Sequence, residues 1–375
     1  MWDYSIFWIS GLNKILTIIL LSGFVIEMFY LVFFYMKFAF ARINEPDNVP
    51  SVSVIIAAQN QAHNLEKFLP LILKQDYPNY EVIVVNHASA DETELLLKRL
   101  GKEYKHLVVR NIPKTDASNH SKKLALTVGI RAAKNDVLLF TDADCYPASD
   151  QWIKKMVRHF DQQTKIVLGY GAYEAQKGLL DKHIRTETAM IAMQYFGFAM
   201  RGLPYMGVGR NIAWRKSFFE EKGGFQSHIF EPSGSDDIFV NQNGTKHNTR
   251  VEFSPQSFTY SVPPRTWKDY VLQKQRHFGS SKFYKLKYKI LLGLEPLFRI
   301  IFLISVIGIS IFLGNLYPVI LWGIREITLM ATLIAGLRKL REKKIFLYSL
   351  IYDIYQPVLH LFIFSGRKKR INGKW

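Results

Sequence analysis

"DVLLFTDADCYP", residues 136–147, runs from an apolar segment straight into two carboxylates one residue apart, Asp142 and Asp144. Three similar runs precede it: "SVSVIIAA" (51–58), "YEVIVVNH" (80–87) and "HLVVRN" (106–111). Helical patterns separate them, for example "NLEKFLPLILKQ" (64–75). Strand and helix alternating at this spacing predict an α/β domain with a mostly parallel, doubly wound sheet and flanking crossover helices. In such sheets ligands gather beyond the carboxyl ends of the strands, which is where Asp142 and Asp144 fall. Taken alone, an Asp-x-Asp triplet is most often a solvated turn, here with Cys145 beneath it.

The flanks of this domain are different. Residues 15–40 form an apolar stretch of about the ~20 residues that a bilayer core requires. Glu27 is its one acid, and it is costly there unless it faces protein. The run is too long for a cleavable signal peptide and no small-x-small site follows it. Lys37 and Arg42 place its C-terminal end on the cytoplasmic side. Apolar composition returns at 290–313, 316–336 and 345–364, the last weakened by Asp353, Gln356 and Pro357. The basic clusters "RKLREKK" (338–344) and "GRKKRINGK" (366–374) both favour the cytoplasm, so the last segment is expected to be re-entrant or interfacial. The expected division is 1–44 as a transmembrane helix, 45–289 as a cytoplasmic domain with interfacial helices, and 290–375 as a membrane region with a basic tail.

Composition narrows the partners. Against 31 Asp and Glu stand 49 Lys and Arg, and 49 − 31 gives the net charge of +18, which suits an anionic surface or a phosphorylated substrate. The basic residues crowd beside the apolar spans with no basic-aromatic platform, so membrane lipid headgroups account for them and no nucleic acid partner is expected. A lone cysteine, Cys145, excludes an internal disulfide and any cysteine-cluster zinc site.

Five stretches, in order, resemble the membrane-bound bacterial members of the family 2 glycosyltransferases. They are "VPSVSVIIAAQNQAHNLEKFLPLILKQDYPNYEVIVV" (49–85), "SKKLALTVGIRAAKNDVLLFTDADCYP" (121–147), "PYMGVGRNIAWRK" (204–216), "SGSDDIFV" (233–240) and "QKQRH" (273–277). The resemblance implies a GT-A fold and transfer of a sugar from a nucleotide-diphosphate sugar, of the UDP type, to a lipid-linked or polysaccharide acceptor at the cytoplasmic face of the inner membrane. It implies a divalent metal, Mg2+ or Mn2+, held by Asp144, with Asp142 contacting the donor. It makes Asp237 the base, supported by Asp236, and an arrangement of that kind inverts the anomeric centre. A helix N-cap is the plain alternative for the acidic pair. Lys122, Arg210, Asn211, Gln273 and Arg276 are implied on the donor, with Arg276 at the diphosphate. Lys123 is as readily a solvated helix start. "FYKLKYKILL" (283–292) reads as an interfacial amphipathic helix, and the Met and aromatic residues of "TETAMIAMQYFGFAM" (186–200) as buried packing.

The match departs at the base subsite. The family's Pro-x-x-Asn-Glu becomes "AAQNQ" (57–61), keeping Asn60, and its Asp-Asp becomes Asn86 and His87, while Ser89 and Asp91 remain. His277 stands where the family has Trp. His87 is expected to contact the base as a neutral imidazole of either tautomer. These departures carry the alternative expectation: a degenerate glycosyltransferase-like subunit that binds nucleotide, glycan or a partner enzyme of a biosynthetic complex without turnover.

Overall fold

The computed structural model describes residues 2–113, 122–229, 231 and 233–365, so the basic tail 366–374 lies outside the described residues. Helix α1 (Trp2–Phe29) runs through a π-helical turn, Tyr30–Tyr35, into α2 (Met36–Ala39). The α/β domain then alternates as the apolar runs predict: β1 (Val52–Ala58), α3 (Ala62–Leu73), β2 (Tyr80–His87), α4 (Thr93–Glu103), β3 (Leu107–Ile112), α5 (Lys122–Ala132) and β4 (Val137–Asp142). These strands pair in parallel in the order β3-β2-β1-β4, with Ile55 beside both Ile83 and Phe140. Every residue of β1 is buried, as a strand covered on both faces requires.

Beyond β4 the chain turns through Asp144 into β5 (Cys145–Pro147), then α6 (Trp152–Val157), β6 (Ile166–Leu168), β7 (Gly171–Tyr173), α7 (Leu179–Met200), β8 (Ile212–Arg215) and α8 (Lys216–Glu221). After these come α9 (Asp237–Asn243), β9 (Thr249–Val251), β10 (Thr259–Ser261) and α10 (Trp267–Ser280). The large sheet is mixed: β8 runs antiparallel to β4 and β6, and β9 closes the far edge. A second sheet, β5-β10-β7, meets the first at the Asp142–Asp144 turn. That turn is therefore held from both sides.

Three further helices complete the chain: α11 (Leu286–Leu313), α12 (Tyr317–Lys339) and α13 (Phe346–Ser365). "FYKLKYKILL" is not a separate interfacial helix. Lys287 and Lys289 lie in the opening turns of α11, because the apolar face simply continues past them. Residues 13–39 together with α11, α12 and α13 are long and apolar enough to cross a membrane. Inside this bundle Glu27 is 1% exposed, and it meets Arg299 at 3.2 Å and Arg325 at 3.0 Å. Asp353 pairs with the same two guanidiniums, and Arg299 also holds Glu295 at 2.7 Å. Buried charges of this kind persist only when they are paired.

The bundle is docked on the domain by polar contacts. Glu342 accepts from Arg185 at 2.6 Å and from the Tyr170 hydroxyl at 3.0 Å, while Lys339 closes the bundle itself by donating to the carbonyls of Phe38 and Ala41. Helix α7 is the buried hinge between the layers, in keeping with its packing-type composition. Helix α13 is a single continuous rod without the break of a re-entrant segment. One of its faces touches the domain from Tyr348 to Phe364, while Leu347, Ile351, Ile354, Val358 and Phe362 form an exposed apolar stripe on the other. That is the division of faces expected of a helix lying between protein and lipid.

Candidate active site

The C-terminal ends of β1, β2 and β4 open on one side of the sheet, and the departures from regular backbone cluster there. Asn60 and Ala88 both adopt positive φ (53° and 50°), a conformation that costs a residue with a Cβ. Asn60 donates its backbone N–H to the Ser89 hydroxyl at 2.9 Å and accepts from Ala90 N–H at 2.7 Å. Asp91 accepts from Ala62 and Thr93. The residues kept from the family pattern thus tie the first two loops of the cleft together, with Asn60 itself exposed.

Asp142 ends β4 and Asp144 follows the turn, both half-buried. Lys122, the first residue of α5, makes an ion pair with Asp142. Burial alone would lower the Lys122 ammonium, but Asp142, Asp236 and Asp144 around it hold it above its ordinary value. Asp144 is pushed up by burial and by Asp142. Donor atoms of Asp142, Asp144 and Cys145 lie within 4.8 Å of one another. Two carboxylates fit a hard divalent cation that takes its remaining ligands from phosphate and water. Cys145 does not, because it is 1% exposed and burial keeps its sulfur a thiol, donating to Asp144 at 3.5 Å.

Some ninety residues further on, the acidic pair reaches the same place. Asp236 accepts from the Gly209 N–H and lines a small cleft with Lys122, Thr141 and Asp142. Gly209 permits this approach, since a Cβ there would sit 3.1 Å from the Asp236 carboxylate. Asp237 opens α9 and faces the other way, accepting from the hydroxyls of Ser280 and, at 2.8 Å, Tyr284. No side-chain cap bond is made by Asp236, so capping does not explain the pair. Burial, then the charge of Asp236, pushes Asp237 up to about 6.

Arg210 stacks over the Tyr173 ring at 4.1 Å and donates to the Ser261 hydroxyl at 3.0 Å. It stays near Asp144 and is half-buried. Gln273 accepts from the Tyr173 hydroxyl at 3.3 Å, and the backbone carbonyl of Arg276 accepts from Ser233 at 2.8 Å. Helix α10 therefore borders both the Arg210 side and the loop leading into the acidic pair.

Two expected donor contacts lie inside the scaffold instead. Asn211 is 0% exposed: its oxygen accepts from Trp152 and its amide donates to the carbonyls of Tyr170 and Ser257. Those bonds consume the donors that sequence alone offers to a sugar. His87 is 0% exposed at the end of β2, and Asn86 donates to Asn111 across the strand pair. Lys123 is no solvated helix start. It is buried, and its ammonium donates at 2.8 Å to the carbonyls of His228, Glu231 and Ser233, shaping the loop before Asp236. Sequence reasoning also missed Ser280 and Tyr284, whose role depends on α10 folding back over α9.

The order of these elements can now be set beside known proteins. Residues 53–223 match the model for glycosyl transferase family 2. The segment that carries the acidic residues Asp142 and Asp144 is thus similar to this family. "Probable glycosyltransferase YdaM" of Bacillus subtilis (strain 168) is 27% identical over 255 residues, 64% of this chain and 57% of that protein. The "Poly-beta-1,6-N-acetyl-D-glucosamine synthase" of Staphylococcus epidermidis is 24% identical over 283 residues, 71% of this chain and 61% of that protein. The chain thus spans about three-fifths of the length of these curated relatives. Among solved structures, a mannosyltransferase, PcManGT from Pyrobaculum calidifontis, described in complex with GDP-Man and Mn2+, superposes with a TM-score of 0.57 at 18% identity. The match covers 92% of this chain and 99% of that one, and at such identity it establishes the GT-A fold. The mixed sheet with its antiparallel β8 is the form that the GT-A fold takes here.

Proposed function

We propose that this chain is a membrane-embedded, metal-dependent, inverting glycosyltransferase that passes a sugar from a nucleotide-diphosphate sugar to a lipid-linked or polysaccharide acceptor. The observation that carries the reading is the meeting of Asp142, Asp144 and Asp236 around one ammonium, Lys122, with Asp237 next in the chain and under the charge of Asp236. A divalent cation held at Asp144 would stabilise the charge that develops on the leaving diphosphate.

The residues of the chain supply the rest. Asp142 and Lys122 contact the donor beside the cation, and Arg210, Gln273 and Arg276 close the diphosphate side. Asp237 accepts the acceptor's hydroxyl proton as that oxygen forms its bond to the anomeric carbon. The bond from that carbon to the diphosphate breaks, and its electron pair leaves with the diphosphate, so the configuration inverts. Ser280 and Tyr284 orient the Asp237 carboxylate and still leave it room for one more donor. Its value of about 6 suits a base that works near neutrality.

Residues 1–44 and 290–365 anchor the domain, and 45–289 stand on the cytoplasmic face. Helix α2 packs on α7 of the domain and Glu342 of the 339–344 loop holds Arg185 of the same helix, which agrees with the basic cluster being cytoplasmic. Calorimetry on the full chain separates this enzyme from a degenerate binding subunit. With Mn2+ and a panel of nucleotide sugars, the expected result is metal-dependent binding of one donor, followed by heat from its consumption when membranes supply acceptor. Asp144→Asn should weaken the metal-dependent part at least tenfold. Metal-independent binding without consumption would favour the subunit.

A further inference from the structure

Helix α10 carries Gln273 and Arg276, yet its main long-range packing partner is α13 of the membrane region. Between these two helices sits Glu187 of α7, 1% exposed. One of its oxygens meets Lys274 of α10 at 2.5 Å, and the other meets Nε2 of His360 on α13 at 3.0 Å. Lys274 lies next to Gln273, is itself nine-tenths buried, and packs over the Tyr270 ring. From His360 the polar contacts continue through Gln356 at 2.7 Å to Arg299 at 3.2 Å. Arg299 is the centre of the ion cluster formed by Glu27, Glu295 and Asp353.

A carboxylate this deeply buried must keep its partners, because stripping one away leaves a desolvated charge. Burial would raise Glu187, but Lys274 and His360 outweigh it and hold the carboxyl below its usual range. A shift of α10 away from α13 would strand that charge, so the two helices are bound to move together.

We propose that Glu187 is a positioning residue that locks α10 to α13, so that the membrane bundle sets where Gln273 and Arg276 stand over the cleft. The inference rests on the proposed role of Arg276 at the diphosphate, and its two readouts fail separately. In the full chain in lipid nanodiscs, hydrogen exchange is compared between wild type, Glu187→Gln and His360→Leu. Exchange over 267–280 is expected to quicken at least tenfold in both variants while β1 to β4 stay protected. Unchanged exchange in that helix overturns the lock, and so does a loss of protection throughout the sheet.

The second readout uses UDP and GDP, each with Mn2+, as probes. Glu187→Gln should weaken whichever nucleotide binds by about tenfold, and adding Glu187→Gln to Arg276→Ala should cost nothing more than Arg276→Ala alone. Independent, additive losses contradict action through Arg276. If wild type binds neither nucleotide, the role of Arg276 at the diphosphate is refuted and the exchange result alone decides the lock.

Discussion

Asp237 is the residue proposed as the base, and its surroundings agree with that role. Its carboxylate accepts two hydroxyls and is shifted up to about 6 by burial and by Asp236. A base works only when deprotonated, so kcat should fall as pH drops through about 6 and level off above it; a profile flat from about pH 5 to about pH 8 would exclude Asp237. Asp237→Asn removes the proton acceptor but keeps the shape. It should lower kcat by ~10²–10⁴-fold and leave donor binding nearly unchanged, as read by steady-state kinetics beside calorimetry. At this scale sequence was informative where chemistry restricts residue type: Asp142, Asp144 and Asp236 gather around Lys122, with Asp237 beside Asp236. It misled where a polar side chain can serve either ligand or scaffold, as Asn211 and His87 show, both 0% exposed. Nothing in the local sequence distinguishes an amide that faces a sugar from one that braces Trp152.

Between elements, a close backbone contact joins the domain to the membrane region. Gly197 of α7 packs on the backbone of Phe34, and a Cβ there would overlap the Phe34 carbonyl oxygen. Since that neighbour is backbone, it cannot swing aside. Gly197→Ala should therefore destabilise the protein by about 1–3 kcal/mol, measured as a lower thermal midpoint in detergent. Gly101 in α4 has open space around it, so Gly101→Ala should be neutral or stabilise by up to ~1 kcal/mol. Equal effects of the two changes would mean that α7 and the π-helical turn are not in this contact. The parallel half of the sheet was legible because β1, β2 and β4 are long apolar runs. Strands β6, β7, β9 and β10 are three residues each and carry no readable period. The continuation of "FYKLKYKILL" into α11 was hidden by its lysines, which sit at the entry to an apolar helix rather than along one polar face.

For the molecule as a whole, the two apolar ends of the chain close into one bundle around paired charges, and that bundle touches the site through α7, α10 and α13. Glu27 was recognisable as an acid in need of partners, but Arg299 and Arg325 lie some 270 to 300 positions away, and only folding shows that they meet it. The same holds for α13, whose Asp353, Gln356 and His360 look like defects in a span until their contacts with Arg299 and Glu187 are seen. The likeness of residues 53–223 to glycosyl transferase family 2 and the GT-A fold set the chemistry to be tested. The most direct measurement follows labelled sugar from a panel of nucleotide sugars into the lipid and polymer fractions of membranes carrying the full chain. Transfer from a donor that stops on chelation, returns with Mn2+ and is lost in Asp237→Asn is the predicted result. Transfer that survives both chelation and Asp237→Asn would contradict the account.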